Sequence, residues 1–468
     1  MIRRPPRSTL SPSSAASDVY KRQGMKRILT LLGCVVVVGL VSLPGGASQQ
    51  KELPWWPMPG FDAAGTGRCP YVGIDSPWLV PFIAQGEIEE QLGAEFVFRG
   101  DFFLIGKDGT FFIGASAENS DELVLLALDP KSRKVLWKFP IMGHSFYDCD
   151  KPAIGPDGTV YAYDRNGDIV GLDPKTGAII WQPKCEEVLP ENLAAVCAQT
   201  YKPFVPSIIV GPQGYIYTVT AGFIPMIFGP PPGRSVVGAV PSVPSIFSRP
   251  VVGHDGTFYF LSGSKDYRNR TIIAITQNGA LRWKRELTSL PLSSRLSMYQ
   301  EAYLIAGENA VYVLAGSEGE NVRVIAIDVN GKIAWSRDLE GFSGDDFDDR
   351  DDPVSYPRPL YDPESGLLYI PLFREDGEWL AALDTRAGGI SRWEVRVGGT
   401  PSYSSNMILT AAGRIILKTK KGLVQVDART GELVSCPVPG WGMIAMAPDG
   451  TIYALAGGYW PNDPALLK

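Results

Sequence analysis

The sequence predicts an all-β fold, an eight-bladed β-propeller of four-stranded antiparallel blades closed by an N-terminal strand. Three observations carry the prediction. A short motif, Gly-Pro-Asp-Gly-Thr followed by an apolar run, recurs along the chain. A second motif, Asp-Pro-x-Thr-Gly leading into a strand that ends in Trp, alternates with it. Gly and Pro number 51 and 39 among 468 residues, a surplus that many tight turns require.

The first motif is clearest at Gly155–Tyr161, GPDGTVY. It returns as GKDGTFFI at Gly106–Ile113, GPQGYIY at Gly211–Tyr217, GHDGTFY at Gly253–Tyr259 and APDGTIY at Ala447–Tyr453. Weaker copies lie at Gly307–Val313, Pro363–Ile370 and Ala411–Leu417. Each copy joins two short apolar runs through a tight turn in which Pro presets φ, Asp caps and Gly accepts φ > 0. The second motif is clearest at Asp173–Trp181 and recurs over Asp129–Trp137, Asp328–Trp335, Asp384–Trp393 and Asp427–Cys436. Asn278-Gly279 to Trp283 is a shorter version. The two motifs together make a unit of four antiparallel strands.

The turn positions run from Gly109 to Gly450 with a mean spacing of about 49 residues, the length of a propeller blade. The eighth unit lacks its second motif. Trp78–Phe82 resembles a closing strand such as Leu136–Phe139 and is expected to supply the missing edge. The apolar segment 222–247 has almost no charge and is read as replacing the third and fourth strands of the third unit, with docking or a lid as the alternative role.

Met25-Lys26-Arg27, the apolar run Ile28–Val41 and the small residues Gly45-Gly46-Ala47 form a signal-peptide pattern. The run is short of the ~20 residues that span a bilayer, so no membrane span is expected. Leu31-Leu32-Gly33-Cys34 resembles a lipobox, which makes lipid anchoring through Cys34 the minor alternative. Residues 1–24, rich in Arg and Ser, read as a non-native leader. The expected organisation is then a leader over 1–24, a signal peptide over 25–47, an N-terminal strap over 48–75, a propeller over 76–458 and a tail over 459–468. Localisation is expected to be secreted or periplasmic.

Residues 1–47 carry seven Lys/Arg and one acid, so without them the net charge falls from −6 to −12. A body this acidic repels nucleic acid, whose binding rests on neutralised phosphates.

Trp137, Trp181, Trp283, Trp335 and Trp393 hold a fixed place in the repeat and are read as structural, packing on the neighbouring blade. Trp55 and Trp56 fall outside the repeat and are assigned to the strap. His254 occupies a turn slot. His144 lies near Asp148, Cys149 and Asp150, a group whose spacing matches no metal site. No nucleophile–His–Asp set can be assembled. The dense acidic run that includes Asp345, Asp346, Asp348 and Asp349 is read as a solvated loop, with Ca²⁺ binding by these four as the alternative. The secreted chain would hold Cys69, Cys149, Cys185, Cys197 and Cys436. The expected bridges are Cys185–Cys197, across a short segment, and Cys69–Cys436, as a staple of the ring.

The repeated GPDGTvY…LDPxTGxxxW unit resembles the pyrroloquinoline-quinone-like (PQQ-like) repeat of eight-bladed propellers. Trp56-Pro57-Met58, Asp62, Thr66-Gly67-Arg68 and Pro70 resemble the N-terminal segment of secreted members. This repeat type is shared by PQQ-dependent alcohol or aldose dehydrogenases and by propeller scaffold lipoproteins of outer-membrane assembly. The dehydrogenases are usually longer, and many have adjacent cysteines near the quinone; this chain has no adjacent pair. The expectation is therefore a monomeric, non-enzymatic binding scaffold for a protein or glycan partner, without PQQ. A PQQ-dependent dehydrogenase is the alternative.

The export reading makes a direct prediction. Protein recovered from its native compartment should begin at Ser48 or within a few residues of it by N-terminal sequencing. A chain starting at Met1, or a diacylglyceryl group on Cys34, contradicts it.

Overall fold

A computed structural model describes residues 57–58, 62, 64, 66–71, 85–93, 96–117, 123–142, 151–183, 208–211, 213–219, 225–230, 236–239, 248–263, 270–288, 290, 302–316, 321–341, 358–398, 407–419, 422–438 and 444–454. Within them the chain forms seven four-stranded antiparallel sheets and one two-stranded sheet. Helix α1, Gln85–Leu92, precedes them. Every sheet is a meander of consecutive strands, and the sheets follow one another along the chain. Sheet one spans residues 96–141, sheet two 153–181, sheet three 209–239 and sheet four 251–287. Sheet five spans 302–339, sheet six 360–396, sheet seven 408–438 and sheet eight 444–454.

Within each sheet burial falls from the inside outward. In sheet five the second strand, Ala310–Ala315, is buried almost throughout, whereas the fourth, Ile333–Leu339, alternates little and is mostly exposed. Sheet four repeats this with Phe258–Gly263 and Leu281–Leu287. The apolar inner strands of neighbouring sheets share their cores. One cluster joins Ile305 and Tyr312 of sheet five to Leu368 and Ile370 of sheet six. Another joins Phe111 and Ile113 of sheet one to Ile416 of sheet seven and Ile444–Met446 of sheet eight. Tyr453 of sheet eight meets Phe111 edge to face at 4.7 Å. The last sheet therefore packs on the first.

The Gly-x-Asp-Gly-Thr turns link first and second strands. Gly155 N donates to Thr159 O at 2.8 Å, and Thr159 N donates to Asp157 Oδ1 at 3.0 Å. Gly158 sits at φ +93°, a conformation that favours glycine. The Asp-Pro-x-Thr-Gly turns link third and fourth strands. Thr176 donates to Asp173 Oδ1 from both its N–H and its hydroxyl, at 2.8 and 3.0 Å. These donors hold Asp173 below the usual carboxylate range. Ser132 plays the part of the threonine in sheet one, and its hydroxyl lowers Asp129 in the same way.

The fourth-strand tryptophans, which the structure places inside their strands and not at the ends, reach across to the next sheet. Trp137 Nε1 donates to Pro174 O at 2.9 Å, Trp283 Nε1 to Val329 O at 3.0 Å and Trp393 Nε1 to Ala428 O at 3.2 Å. Each ring lies over the turn glycine of the neighbouring sheet. A methyl group at Gly177 would stand 2.7 Å from Trp137 Cδ2, and one at Gly431 2.7 Å from Trp393 Cδ2. Gly331 under Trp283 and Gly389 under Trp335 are equally crowded. All four glycines have φ between +70° and +79°. Trp181 differs because sheet three has no such turn: it meets Phe228 edge to face at 5.6 Å instead.

Sheet one departs from this pattern at its turn. Its turn places Arg133 where the other turns have glycine, and Arg133 still takes φ +57°. Helix α1 covers this turn. Gln91 Nε2 donates to Arg133 O at 2.9 Å, and Val135 N donates to Gln91 Oε1 at 2.9 Å.

Two expectations need correction here. Segment 222–247 does not replace the third and fourth strands of its unit. Pro225–Phe228 and Val236–Ala239 are those strands: the first pairs antiparallel with Ile216–Val219, and the two pair with each other with one register shift at Ile227/Phe228. The run reads as loop because it lacks the Asp-Pro-x-Thr-Gly signature, but its apolar residues Met226, Ile227 and Phe228 are buried in the sheet core. The Cys69–Cys436 staple does not form either: Cys69 is a free, buried thiol. It pairs with Leu409 on the inner edge of sheet seven, whereas Cys436 is on that sheet's fourth strand. Four strand spacings of roughly 4.8 Å separate them, far beyond disulfide reach. Trp78–Phe82, Cys185, Cys197, His144 and the acidic residues Asp345, Asp346, Asp348 and Asp349 lie outside the described residues.

The turn geometry makes a paired prediction. Gly431→Ala puts a side chain both at positive φ and against the Trp393 ring, and should cost about 3 kcal/mol. Arg133→Ala keeps a side chain where one already exists, and should cost under about 1 kcal/mol. Chemical denaturation of both variants measures this, and equal losses contradict the steric account.

Candidate functional site

Residues 57–71 form a strap that runs across the inner strands of several sheets. Ile154 N of sheet two donates to Pro57 O at 2.7 Å, and Ala306 N of sheet five donates to Ala64 O at 2.9 Å. Seven residues of extended chain reach at most about 25 Å, so the strap crosses from sheet two to sheet five by the short way, through the middle. It then turns along sheets six and seven. Tyr361 N donates to Thr66 O at 2.9 Å, Leu409 N to Gly67 O at 3.1 Å and Cys69 N to Leu409 O at 2.8 Å. Ala411 N donates to Tyr71 O at 2.8 Å. Arg68 pairs in parallel with Leu409 and reaches Asp362 at 3.3 Å and Glu364 at 2.8 Å on sheet six. Burial pushes the Cys69 thiol up, out of the range in which it ionises.

Where the strap crosses, it roofs a cavity of about 50 Å³. Residues in or just before the first strands of five successive sheets, two to six, border this one space, which places it on the axis they share. Met58 and Asp62 enter from the strap, and Lys151, Arg249, Tyr303 and Arg358 from the sheets. Asp62 is fixed by the strap itself: it accepts from Thr66 N at 2.9 Å and from the Thr66 hydroxyl.

The three cations have a common origin in the repeat. Lys151-Pro152, Arg249-Pro250 and Arg358-Pro359 each stand two residues before the first strand of a sheet, in sheets two, four and six. The proline restricts the residue before it to extended backbone, so all three basic side chains leave the chain in equivalent geometry. Lys151 is 7% and Arg249 8% exposed. Sequence reading missed these residues. The signal was present as a repeated basic–Pro pair, but nothing local says that alternate sheets point it at one centre.

The residues singled out from sequence lie elsewhere. Trp137 and Trp181 are buried, and Trp283, Trp335 and Trp393 are packed against cores between sheets. His254 is an exposed turn residue. Among the described residues no group of three His, Cys, Asp or Glu side chains is placed to hold a metal ion, and no helix is long and apolar enough to cross a membrane.

A quinone of the PQQ type does not fit the axial cavity. Pockets that bury a small-molecule cofactor run to about 300 Å³ or more, against about 50 Å³ here. A planar quinone also needs an aromatic floor. Among the described residues, Trp137, Trp283, Trp335 and Trp393 are committed to turn glycines between sheets.

If the strap is integral to the fold, its loss has a measurable cost. Removing residues 48–71 should lower stability by about 5 kcal/mol, from lost inter-strand bonds and the buried Met58, Cys69 and Tyr71. A truncated protein with an unchanged melting temperature contradicts this.

Comparison with known proteins gives the family. The family model described as outer membrane protein assembly factor BamB matches residues 120–202 and 234–454. BamB of Yersinia pestis is 27% identical over 268 residues, covering 55% of this chain and 58% of that protein, so the match leaves much of the relative's length unaccounted for. Among solved structures, Chaetomium thermophilum Sqt1 bound to the N-terminus of ribosomal protein L10 is similar at a TM-score of 0.48 and 14% identity, over 75% of this chain and 93% of that one. The β-propeller domain of Myceliophteria thermophila Cps50 (Swd1) is similar at 0.37 and 9%, over 75% and 94%. With the family model covering most of the repeating sheets, this PQQ-like repeat β-propeller belongs to the family of the outer membrane protein assembly factor BamB.

Proposed function

We propose that the chain is exported and acts as a non-catalytic, protein-binding scaffold in the assembly of outer-membrane proteins. The observation that carries this reading is the family match over residues 120–202 and 234–454. The geometry supports it. The recurring Trp, Asp, Thr and Gly residues are committed to turns and to joints between sheets. What remains for a partner is the surface of a rigid ring.

In this reading the eight sheets are eight blades. The segment around Trp78–Phe82 completes the two-stranded eighth, and the first blade docks against it through Phe103, Phe111 and Tyr453. The signal peptide ends at Ala47, and the mature protein works in the periplasm or beyond it. Cys185 and Cys197 form a disulfide there. The acidic run at Asp345–Asp352 is a solvated loop.

Complementation tests the role. In a Gram-negative host lacking its own BamB, the full chain with its signal segment should restore the amount of β-barrel protein in the outer membrane. Export without any such restoration contradicts the scaffold reading. A second arm addresses catalysis: purified protein given pyrroloquinoline quinone and Ca²⁺ should show no turnover of alcohols or aldoses with an artificial electron acceptor. Turnover would replace the scaffold with a dehydrogenase.

A further inference from the structure

The two ends of the ring differ in a way that the fold does not require. Each four-stranded sheet is a meander. Its first-to-second and third-to-fourth connections therefore leave at one end. Its second-to-third connection, and the link to the next sheet, leave at the other. The strap marks the first end: it pairs with Ile154, Ala306, Tyr361 and Leu409, each at or next to the close of a first strand. Every connection at that end is short, three to seven residues. At the opposite end six of the seven links between sheets are 11 to 27 residues long, the kind of segment in which a rigid scaffold carries its recognition.

Charge divides the same way. Described strands set where each connection begins and ends, and the sequence sets its charge. At the strap end the first-to-second connections sum to −5 and the third-to-fourth to +5, a net of zero. At the opposite end the second-to-third connections sum to −5 and the links between sheets to −6, a net of −11. The strands sum to +4 and residues 48–95 to −5, so the acidity of the protein resides chiefly at that one end. These sums take in every charged side chain of an end, Lys151, Arg249 and Arg358 included, so ion pairs within an end leave them unchanged. The largest shares are −5 from residues 340–359, −3 from 118–122 and −2 each from 316–321 and 375–376.

We propose that the end of the ring opposite the strap is its docking face, and that the partner it takes is a basic protein surface. That there is a protein partner rests on the scaffold reading above; which end it meets, and its charge, follow from the ring. Charge complementarity names the occupant: a surface of opposite sign is drawn to such an end and oriented by it. Nucleic acid and anionic lipid carry the wrong sign. A metal ion needs ligands around one point, whereas these acids come from connections of sheets one, five and six. The strap end competes poorly. It is neutral, it is built of short hydrogen-bonded turns, and its centre is already crossed by residues 57–71 of the chain itself.

The test compares three variants of the mature full-length protein, each losing three negative charges. Two lie at the acidic end: Glu122→Gln, Glu320→Gln, Glu375→Gln, and Asp346→Asn, Asp348→Asn, Asp349→Asn. The control, Glu90→Gln, Glu308→Gln, Glu432→Gln, removes exposed acids elsewhere. The probe is a deca-lysine peptide carrying a photoreactive group, with deca-glutamate beside it. The wild type should bind deca-lysine and not deca-glutamate, more weakly as salt rises, and the label should map to the connections opposite the strap. Each acidic-end variant should lose about threefold or more in affinity, and the control less than either. In the complementation host, the two acidic-end sets combined should restore less outer-membrane β-barrel protein than the control at equal export. Four results overturn the proposal: labelling of both ends alike, equal losses in all three variants, displacement of the peptide by stoichiometric Ca²⁺, or full complementation by the combined variant. If the wild type itself fails to complement, the scaffold reading falls, and the peptide still decides which end takes a basic partner.

Discussion

The fold depends on one contact made repeatedly between neighbouring sheets. A tryptophan in the first half of a fourth strand lays its ring on a glycine in the next sheet's turn and donates its indole N–H to a carbonyl of that turn. The contact needs three things at once. The turn must enter positive φ, its residue there must have no side chain, and the aspartate at its start must hold the loop rigid. Apolar inner strands supply burial but are nearly interchangeable from sheet to sheet. The indole contact sets how one sheet is aimed at the next, and so sets the curvature of the ring. Where it is missing, something else performs its task. Phe228 receives Trp181, Tyr217 donates to Gly256 O between sheets three and four, and helix α1 covers the turn of sheet one.

This explains why so much of the fold was legible in the sequence. The devices that specify it are local and repeated: Gly158 and Gly177 mark turns that only certain residues can make, and the spacing to Trp181 is fixed by strand length. The third sheet was misread for the same reason. Its second turn is made by a proline-rich run with no aspartate, so Pro225–Phe228 carries the strand but not the signature. The strap and the axial cavity were out of reach for a different reason. Their residues are hundreds of positions apart, and the contact of Asp62 with a space bordered by Arg358 is a property of closure. The Cys69–Cys436 pairing failed because nearness to one sheet does not say which edge of it a residue touches.

Family membership and physical reading meet at the question of chemistry. Propellers that carry a cofactor need open volume on or near the axis. Here Met58 and Asp62 of the strap border such a space, and about 50 Å³ of it remains. The outer strands present a different character. Single apolar side chains such as Leu136, Leu281, Ile333 and Ile390 stand exposed on four of the fourth strands. Adjacent pairs, Ile179-Ile180 and Leu433-Val434, are exposed on two others.

The path of the strap also constrains the order in which the molecule can be made. Residues 57–71 leave the ribosome early, yet their partners on sheets five, six and seven arrive roughly 240 to 340 residues later. Until those strands exist the segment has nothing to pair with, and pairing it early with sheet two alone gains little against the entropy of so long a loop. Contacts this distant in sequence slow the final step of folding. Under the export proposed above, the strap would enter the new compartment before the rest of the ring. It can seat only when the sheets it bridges have come together. Seating is thus a late event that reports a complete ring, and a chain cut short before sheet seven would be left with its own N-terminal segment exposed.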